Sequence, residues 1–161
     1  MKWSLGTRAQ FGAVTLLMAA LVSACSTAPP KPDVAAELQK LKIPTIPKTL
    51  TPAQTADIER MWDGRGQWFV KTGCFACHAV SVFDVKGLAP IGPDLSNAVD
   101  DVKTRFGRSL EEFWKEPQGT MQMVLSQLIV LTPEQKDVAL KELQAAFAEY
   151  QKQRGSKAGT Q

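Results

Sequence analysis

Residues 73–80 of the chain read GCFACHAV, and they bring two cysteines and a histidine within one short stretch. Cys74 and Cys77 are two of the three cysteines in the sequence, and His78 is its only histidine. Thiols and imidazoles are the side chains that bind transition metals, exchange disulfides and anchor cofactors. The fold therefore depends on which of these three chemistries the stretch supports.

Two of the three interpretations need partners that the sequence lacks. A C-x-x-C redox pair normally stands beside a βαβ unit, and no segment of this chain alternates β-branched and polar residues as a strand would. A structural zinc ion needs four ligands, and Cys25 is the only other cysteine or histidine. A zinc site would require a carboxylate as its fourth ligand, so this interpretation stays open but is disfavoured.

The third interpretation accounts for all three residues of the motif. C-x-x-C-H is the attachment motif of c-type haem, in which both thiols add to porphyrin vinyl groups and the adjacent histidine ligates iron. Two intervening residues let both sulfurs reach one edge of the ring, and the histidine then lies beneath the iron. The motif predicts one haem c, bound covalently through Cys74 and Cys77, with His78 as an iron ligand.

The first 24 residues predict an exported protein. Two basic residues precede an apolar stretch over residues 11–22, and small residues lead to Cys25. This is typical of a signal peptide and too short for a membrane span. Residues 21–25, LVSAC, resemble the bacterial lipobox, whose cysteine is lipidated, with palmitate among its acyl chains. The alternative is an ordinary signal peptide that leaves Cys25 as a free thiol.

The remaining chain divides into a tether, one domain and a tail. Residues 25–49 are rich in proline and predict a semi-extended spacer, in which residues 34–41 form one or two helical turns without joining the core. Residues 50–153 predict a single domain, and residues 154–161 a flexible tail. If the lipobox functions, a lipid anchor holds the domain at a membrane in the periplasm, and inner and outer membrane remain open.

The domain reads as all-α, with three to five helices wrapped around one covalently bound haem. Thr51, Ser109 and Thr132 each begin a capping box, because a glutamine or glutamate follows three residues later. The first helix breaks around Gly64 and resumes through residue 72. The third capping box opens a long amphipathic helix.

From residue 50 to residue 153 the sequence resembles the class I family of monohaem c-type cytochromes. The resemblance is carried by Gly66, the C-x-x-C-H motif, the stretch IGPDL at residues 91–95, a methionine-containing loop and the last helix. It implies that the Pro93 carbonyl accepts a hydrogen bond from Nδ1 of His78, and that Leu95 packs on the haem edge. It also implies that Gly66 lets the first and last helices approach closely.

The resemblance further implies methionine as the sixth iron ligand. A second histidine ligand is impossible within this chain, which has only one. Met121, preceded by a Gly-Thr turn, is the favoured ligand and Met123 the alternative, although neither is followed by the proline common in the family. Met61 is expected to fill the core instead.

The function implied is single-electron transfer between redox proteins, without enzymatic catalysis. The donor and acceptor stay open, and a formal net charge of +3 lacks the basic footprint of a nucleic-acid binder. Scattered cations are expected to form a weakly basic rim for an acidic partner: Lys71, Lys86, Lys103, Arg105 and Arg108. The alternatives are a haem-based sensor or enzyme with an open or labile sixth site, and an interaction module with a structural haem.

Overall fold

A computed structural model of the protein describes residues 32–89 and 91–158, with side chains through residue 156. Cys25 and the predicted signal peptide lie outside these residues, as does the end of the predicted tail. The described part is mostly helical, with seven α-helices and no strand. This agrees with the all-α class, although the helices outnumber the three to five expected.

Short helices surround one long C-terminal helix. The α-helices are α1 (Val34–Lys40), α2 (Pro52–Trp62), α3 (Gln67–Lys71), α4 (Ala98–Phe106), α5 (Leu110–Lys115), α6 (Thr120–Met123) and α7 (Pro133–Ala158). Three 3-10 turns, Cys74–Ala76, Ser81–Phe83 and Leu95–Asn97, and a π-helical turn, Val124–Leu128, lie between them. None of the described helices combines the length and hydropathy that crossing a bilayer requires.

The three predicted helix starts are confirmed. Thr51 and Ser109 each form a complete capping box at the first turn of α2 and α5. Thr132 does the same for α7: its backbone N–H donates to Gln135 at 2.9 Å, and the Gln135 N–H donates to its hydroxyl at 3.2 Å. Helix α5 ends at Lys115, before the proline that follows Glu116.

The break between α2 and α3 also lies where it was predicted, but Gly66 has a different neighbour from the one expected. The resemblance placed Gly66 at a close approach of the first and last helices. In the structure, a Cβ at this position would collide with the side chains of Val85 and Phe83. Gly66 thus makes room for the chain that follows the C-x-x-C-H motif.

Helix α7 closes the core along one apolar stripe. Ala139, Leu143 and Ala146 are buried on it, at spacings of three and four residues that place them on one face. The helix packs against α4, α5 and the turn Leu95–Asn97. It continues to Ala158, beyond the domain end expected at residue 153, because residues 152–158 contain no proline to stop it.

The segment expected to be a spacer packs into the core instead. Val34 and Leu38 of α1 are buried, as are Ile43 and Ile46 behind it. Asp33 caps α1 by accepting hydrogen bonds from two backbone N–H groups at 3.1 and 3.2 Å. Two of the prolines that suggested an extended spacer, Pro44 and Pro47, lie in the chain that follows α1. The folded domain begins well before residue 50.

Candidate functional site

A cavity of about 630 Å³ lies beside the C-x-x-C-H motif. Its size falls within the range of roughly 300–1,000 Å³ that is usual for small-molecule and cofactor sites. Apolar groups form most of its lining. The walls come from residues 43–45, α3 and the motif, residues 91–95, α4 and α5, and residues 118–129. All the described residues that the sequence nominated for the site line this cavity: Cys74, Cys77, His78, Pro93, Leu95, Met121 and Met123.

The local fold of the motif directs its reactive side chains into the cavity. Gly73 adopts the left-handed conformation, with φ of 85°, and starts the 3-10 turn Cys74–Ala76. Phe75 and Ala76, the two residues between the cysteines, are fully buried in the core. Phe75 and Ala76 therefore anchor one face of the turn in the core. Cys74 and Cys77 lie on its other face, where they are half-buried and line the cavity.

Each thiol lies near a threonine hydroxyl. Thr72 Oγ1 is 3.4 Å from Cys74 Sγ, and Thr45 Oγ1 is 3.6 Å from Cys77 Sγ. Since Thr72 donates its hydroxyl proton to the Trp68 carbonyl at 2.7 Å, the Cys74 thiol is the donor in the first pair. Burial raises the pKa of Cys74 to about 11, which is the opposite of the lowered pKa that a redox dithiol needs.

His78 is held in one orientation and one tautomer. Its Nδ1 lies 2.8 Å from the Pro93 carbonyl oxygen, which is the contact expected from the sequence. A carbonyl only accepts, so Nδ1 carries a proton, and Nε2 is the nitrogen that offers a lone pair when the ring is neutral. No hydrogen bond from the described residues engages Nε2. The imidazole is therefore prepared to bind a metal through Nε2.

Gly92 completes the support of the imidazole. A Cβ on Gly92 would stand 2.8 Å from His78 Nε2 and still nearer to two other ring atoms. Real Cβ atoms do not approach so closely, so only glycine fits against this ring. The stretch 91–95 thus packs on His78 as well as bonding to it, and its Leu95 is half-buried on the cavity wall.

The two candidate methionines lie together on α6. Met121 packs against the core, whereas Met123 is 49% exposed. Gly119 precedes the helix with φ of 62°, and none of the residues of α6 or of the following π-helical turn is buried. Met61 lies in the core, where its sulfur accepts the Lys86 N–H at 3.1 Å, in keeping with its expected role.

Sequence reasoning missed one wall of the cavity. Ile43, Pro44 and Thr45 line it, although they belong to the segment expected to be a spacer. The apolar residues at positions 34, 38, 43 and 46 indicated a buried segment, but the number of prolines favoured a spacer instead.

Another wall of the cavity is aromatic. Phe106 and Phe113 pack with ring centroids 4.7 Å apart, and Trp114 is fixed by its hydrogen bond to the Lys136 carbonyl at 3.0 Å.

The expected basic rim is not assembled at the cavity. Of the five nominated cations only Arg105 lines it, and Arg105 pairs with Asp101 at 3.5 Å. Lys86 pairs with Asp57 at 3.2 Å, and Arg108 with Glu116 at 2.9 Å. In the described part of the chain, no three histidine, cysteine, aspartate or glutamate side chains converge as ligands of a metal ion. The zinc interpretation therefore has no ligand set there.

No protein-family model, curated protein or solved structure matches this chain.

Proposed function

We propose that the protein is a monohaem c-type cytochrome that carries single electrons between redox proteins. One observation carries the proposal: the only histidine of the chain stands on the wall of a cavity with Nδ1 bonded to Pro93 and Nε2 left as a lone-pair donor. The two cysteines that precede it line the same cavity. This is the arrangement that the C-x-x-C-H motif needs for haem attachment.

The residues of the cavity fit a haem c. Cys74 and Cys77 would hold it through thioethers, His78 through Nε2, and Met121, or alternatively Met123, through its sulfur. Apolar lining suits the porphyrin face, because a macrocycle of that kind binds by burying apolar area. When bound, the haem iron supplies one-electron chemistry by cycling between its ferrous and ferric states.

The chain itself supplies orientation and exclusion of water. The Pro93 carbonyl holds the Nδ1 proton and so raises the basicity of Nε2. Gly92 leaves the imidazole no space to tilt toward its own side. Aromatic side chains on α3 to α5 and residues 43–45 line the cavity and would shield a bound porphyrin from water. Nothing in these roles requires a general acid or base.

We infer from the sequence that this domain lies outside the cytoplasm, on a membrane lipid anchor at Cys25. Haem attachment of this type takes place outside the cytoplasm, so the predicted signal peptide and the motif agree with each other. We infer a redox protein as donor and another as acceptor.

A second candidate function rests on the way α6 is held. Helix α6, which carries both candidate methionines, has only four residues and runs directly into a π-helical turn, a distortion that is often found at functional sites. A labile sixth ligand would let small molecules reach the iron, as a haem-based sensor or enzyme requires. The two functions therefore differ in one measurable property, the occupancy of the sixth site.

The visible spectrum of the full chain, matured in an export-competent host, tests both proposals. A low-spin spectrum that carbon monoxide does not change, with Met121→Ala becoming high-spin, is the expected result. Met123→Ala is the paired variant, and Met61→Leu, a core methionine, is the control that should stay low-spin. Ready carbon monoxide binding by the unaltered protein would favour the sensor or enzyme. Absence of covalently bound haem would refute both.

A further inference from the structure

Two stretches of chain near His78 are joined by hydrogen bonds. The Gly92 N–H donates to the Cys77 carbonyl at 2.9 Å, and the Leu95 N–H donates to the Ala79 carbonyl at 2.9 Å. The Pro93 contact with His78 lies between these two bonds. Residues 77–82 and 92–96 thus form one unit, which we term the histidine clamp.

Asp94 joins both halves of the clamp through a single carboxylate oxygen. Its Oδ1 accepts from the Ser96 N–H at 2.9 Å, within its own stretch, and from the Ser81 N–H at 3.2 Å, in the other. Asp94 directly follows Pro93, so the Pro93 carbonyl belongs to the peptide group that joins the two residues. Fixing the Asp94 side chain on both sides therefore fixes the plane of that peptide and the direction of the carbonyl.

Ser96 reinforces the clamp from the interior. Among the described residues it is the only buried polar one. Its hydroxyl oxygen accepts from the Val82 N–H at 3.2 Å and lies 3.3 Å from the Ser81 hydroxyl. A buried hydroxyl is costly unless it is bonded, so these contacts tie the two stretches together at the end away from the cavity.

The charge state of Asp94 suits this role. Burial raises the pKa of the Asp94 carboxyl, but hydrogen bonds from Ser81 and Ser96 outweigh it and bring the pKa below its ordinary value. The carboxylate is thus ionised at neutral pH and acts only as an acceptor. An acceptor is what the two backbone N–H groups need.

We propose that Asp94 is a positioning residue for His78: its carboxylate bridges the two stretches and thereby aims the Pro93 carbonyl at Nδ1. The role of this bond in an iron site rests on the proposed function, whereas the bridge itself does not. The competing explanation is that Asp94 merely caps the turn Leu95–Asn97, where it is the N-cap residue. A cap needs the bond to Ser96 alone, and the bridge needs the bond to Ser81 as well.

The single histidine makes the test direct. Labelling the full, matured chain with ¹⁵N-histidine yields one imidazole, and its Nδ1 proton reports the clamp through its exchange with solvent. Asp94→Ala is expected to accelerate that exchange by up to about tenfold, the factor for one hydrogen bond. Asp94→Asn, which keeps an acceptor oxygen, should exchange slowly like the unaltered protein.

The variant Asp94→Ser distinguishes the bridging role of Asp94 from its role as the N-cap of the turn Leu95–Asn97. Serine is a good N-cap but its hydroxyl is too short to reach the Ser81 N–H as well, so the positioning role predicts fast exchange in this variant too. Ser109→Ala, which removes a cap from α5, is the control for lost stability. Slow exchange in Asp94→Ser, or equal acceleration in Ser109→Ala, would overturn the proposal.

The same spectra test the proposed haem-binding function and the positioning role of Asp94 separately. The Nε2 resonance shows whether His78 binds a metal, and it tests the proposed function. The Nδ1 exchange shows whether Asp94 orients the ring, with or without metal. In a haem-loaded protein, a weakened Nδ1 bond makes the histidine a poorer electron donor, so Asp94→Ala should also move the reduction potential upward while Ser109→Ala leaves it unchanged.

Discussion

At the scale of single residues, the imidazole of His78 is controlled by its neighbours on one stretch. Pro93 supplies the acceptor for Nδ1, and Gly92 supplies the space against the ring. The contact of Pro93 with His78 was predicted through the resemblance to class I c-type cytochromes, since the two residues stand 15 positions apart and no local pattern joins them. The Asp94 bridge was not, since it depends on how two distant stretches approach each other.

Gly92→Ala should displace the imidazole. Because the new methyl group would overlap three ring atoms of His78, the ring must move or the stretch 91–95 must shift. We expect a loss of roughly 1–3 kcal/mol in the free energy of unfolding, typical of overpacking, together with faster exchange of the Nδ1 proton. Chemical denaturation and the ¹⁵N-histidine experiment measure these effects.

Gly155→Ala is the matched control for that substitution. Nothing lies within 4 Å of a Cβ at Gly155, and alanine is favoured over glycine inside a helix by up to about 1 kcal/mol. This variant should be neutral or slightly more stable. If Gly92→Ala behaved in the same way, the packing of Gly92 on His78 would have no energetic weight.

At the scale of elements, local signals were predicted well and long-range packing poorly. The capping boxes of α2, α5 and α7 depend on four consecutive residues each, so the sequence contains the whole interaction. The break after α2 follows from its glycines in the same way. Helix α1 owes its position to burial against α2 and the core, and no local window records such contacts.

Leu38→Ala tests whether α1 belongs to the folded domain. Leu38 is 0% exposed, and truncating a buried leucine costs about 2–5 kcal/mol. We expect the free energy of unfolding, measured by denaturant titration, to fall by that amount. Lys40→Ala on the same helix removes only an exposed ion pair with Glu37 and should change stability little. A neutral Leu38→Ala would restore the interpretation of residues 25–49 as a spacer.

At the scale of the whole molecule, the carboxyl groups make the free energy of unfolding depend on pH in the acid range. All six carboxyl groups with a resolved shift have a pKa below its ordinary value: Asp57, Asp94, Glu111, Glu112, Glu134 and Glu149. Hydrogen bonds from backbone N–H groups, polar side chains and cations are the cause. In each case the folded chain binds the proton less tightly than the unfolded chain.

The free energy of unfolding should therefore decline on acidification. A lowered folded pKa contributes stability that is complete above the unfolded values, 3.8 for aspartate and 4.5 for glutamate, and is lost as pH falls through the folded values. Denaturation at stepwise lower pH should show a plateau above about pH 5 and a decline below it. Asp94→Asn should make the decline shallower. A steeper decline in that variant would contradict a contribution of the lowered Asp94 pKa to the pH dependence of stability.

The wall formed by residues 43–45 makes the surroundings of the two cysteines depend on the N-terminal part of the chain. Thr45 lies 3.6 Å from the Cys77 sulfur, and the side chains of Leu41 and Ile43 occupy the space beside Gly73. A chain shortened to begin at residue 50 would therefore lose more than α1. It would also open one side of the cavity and leave the Cys77 sulfur more exposed to solvent.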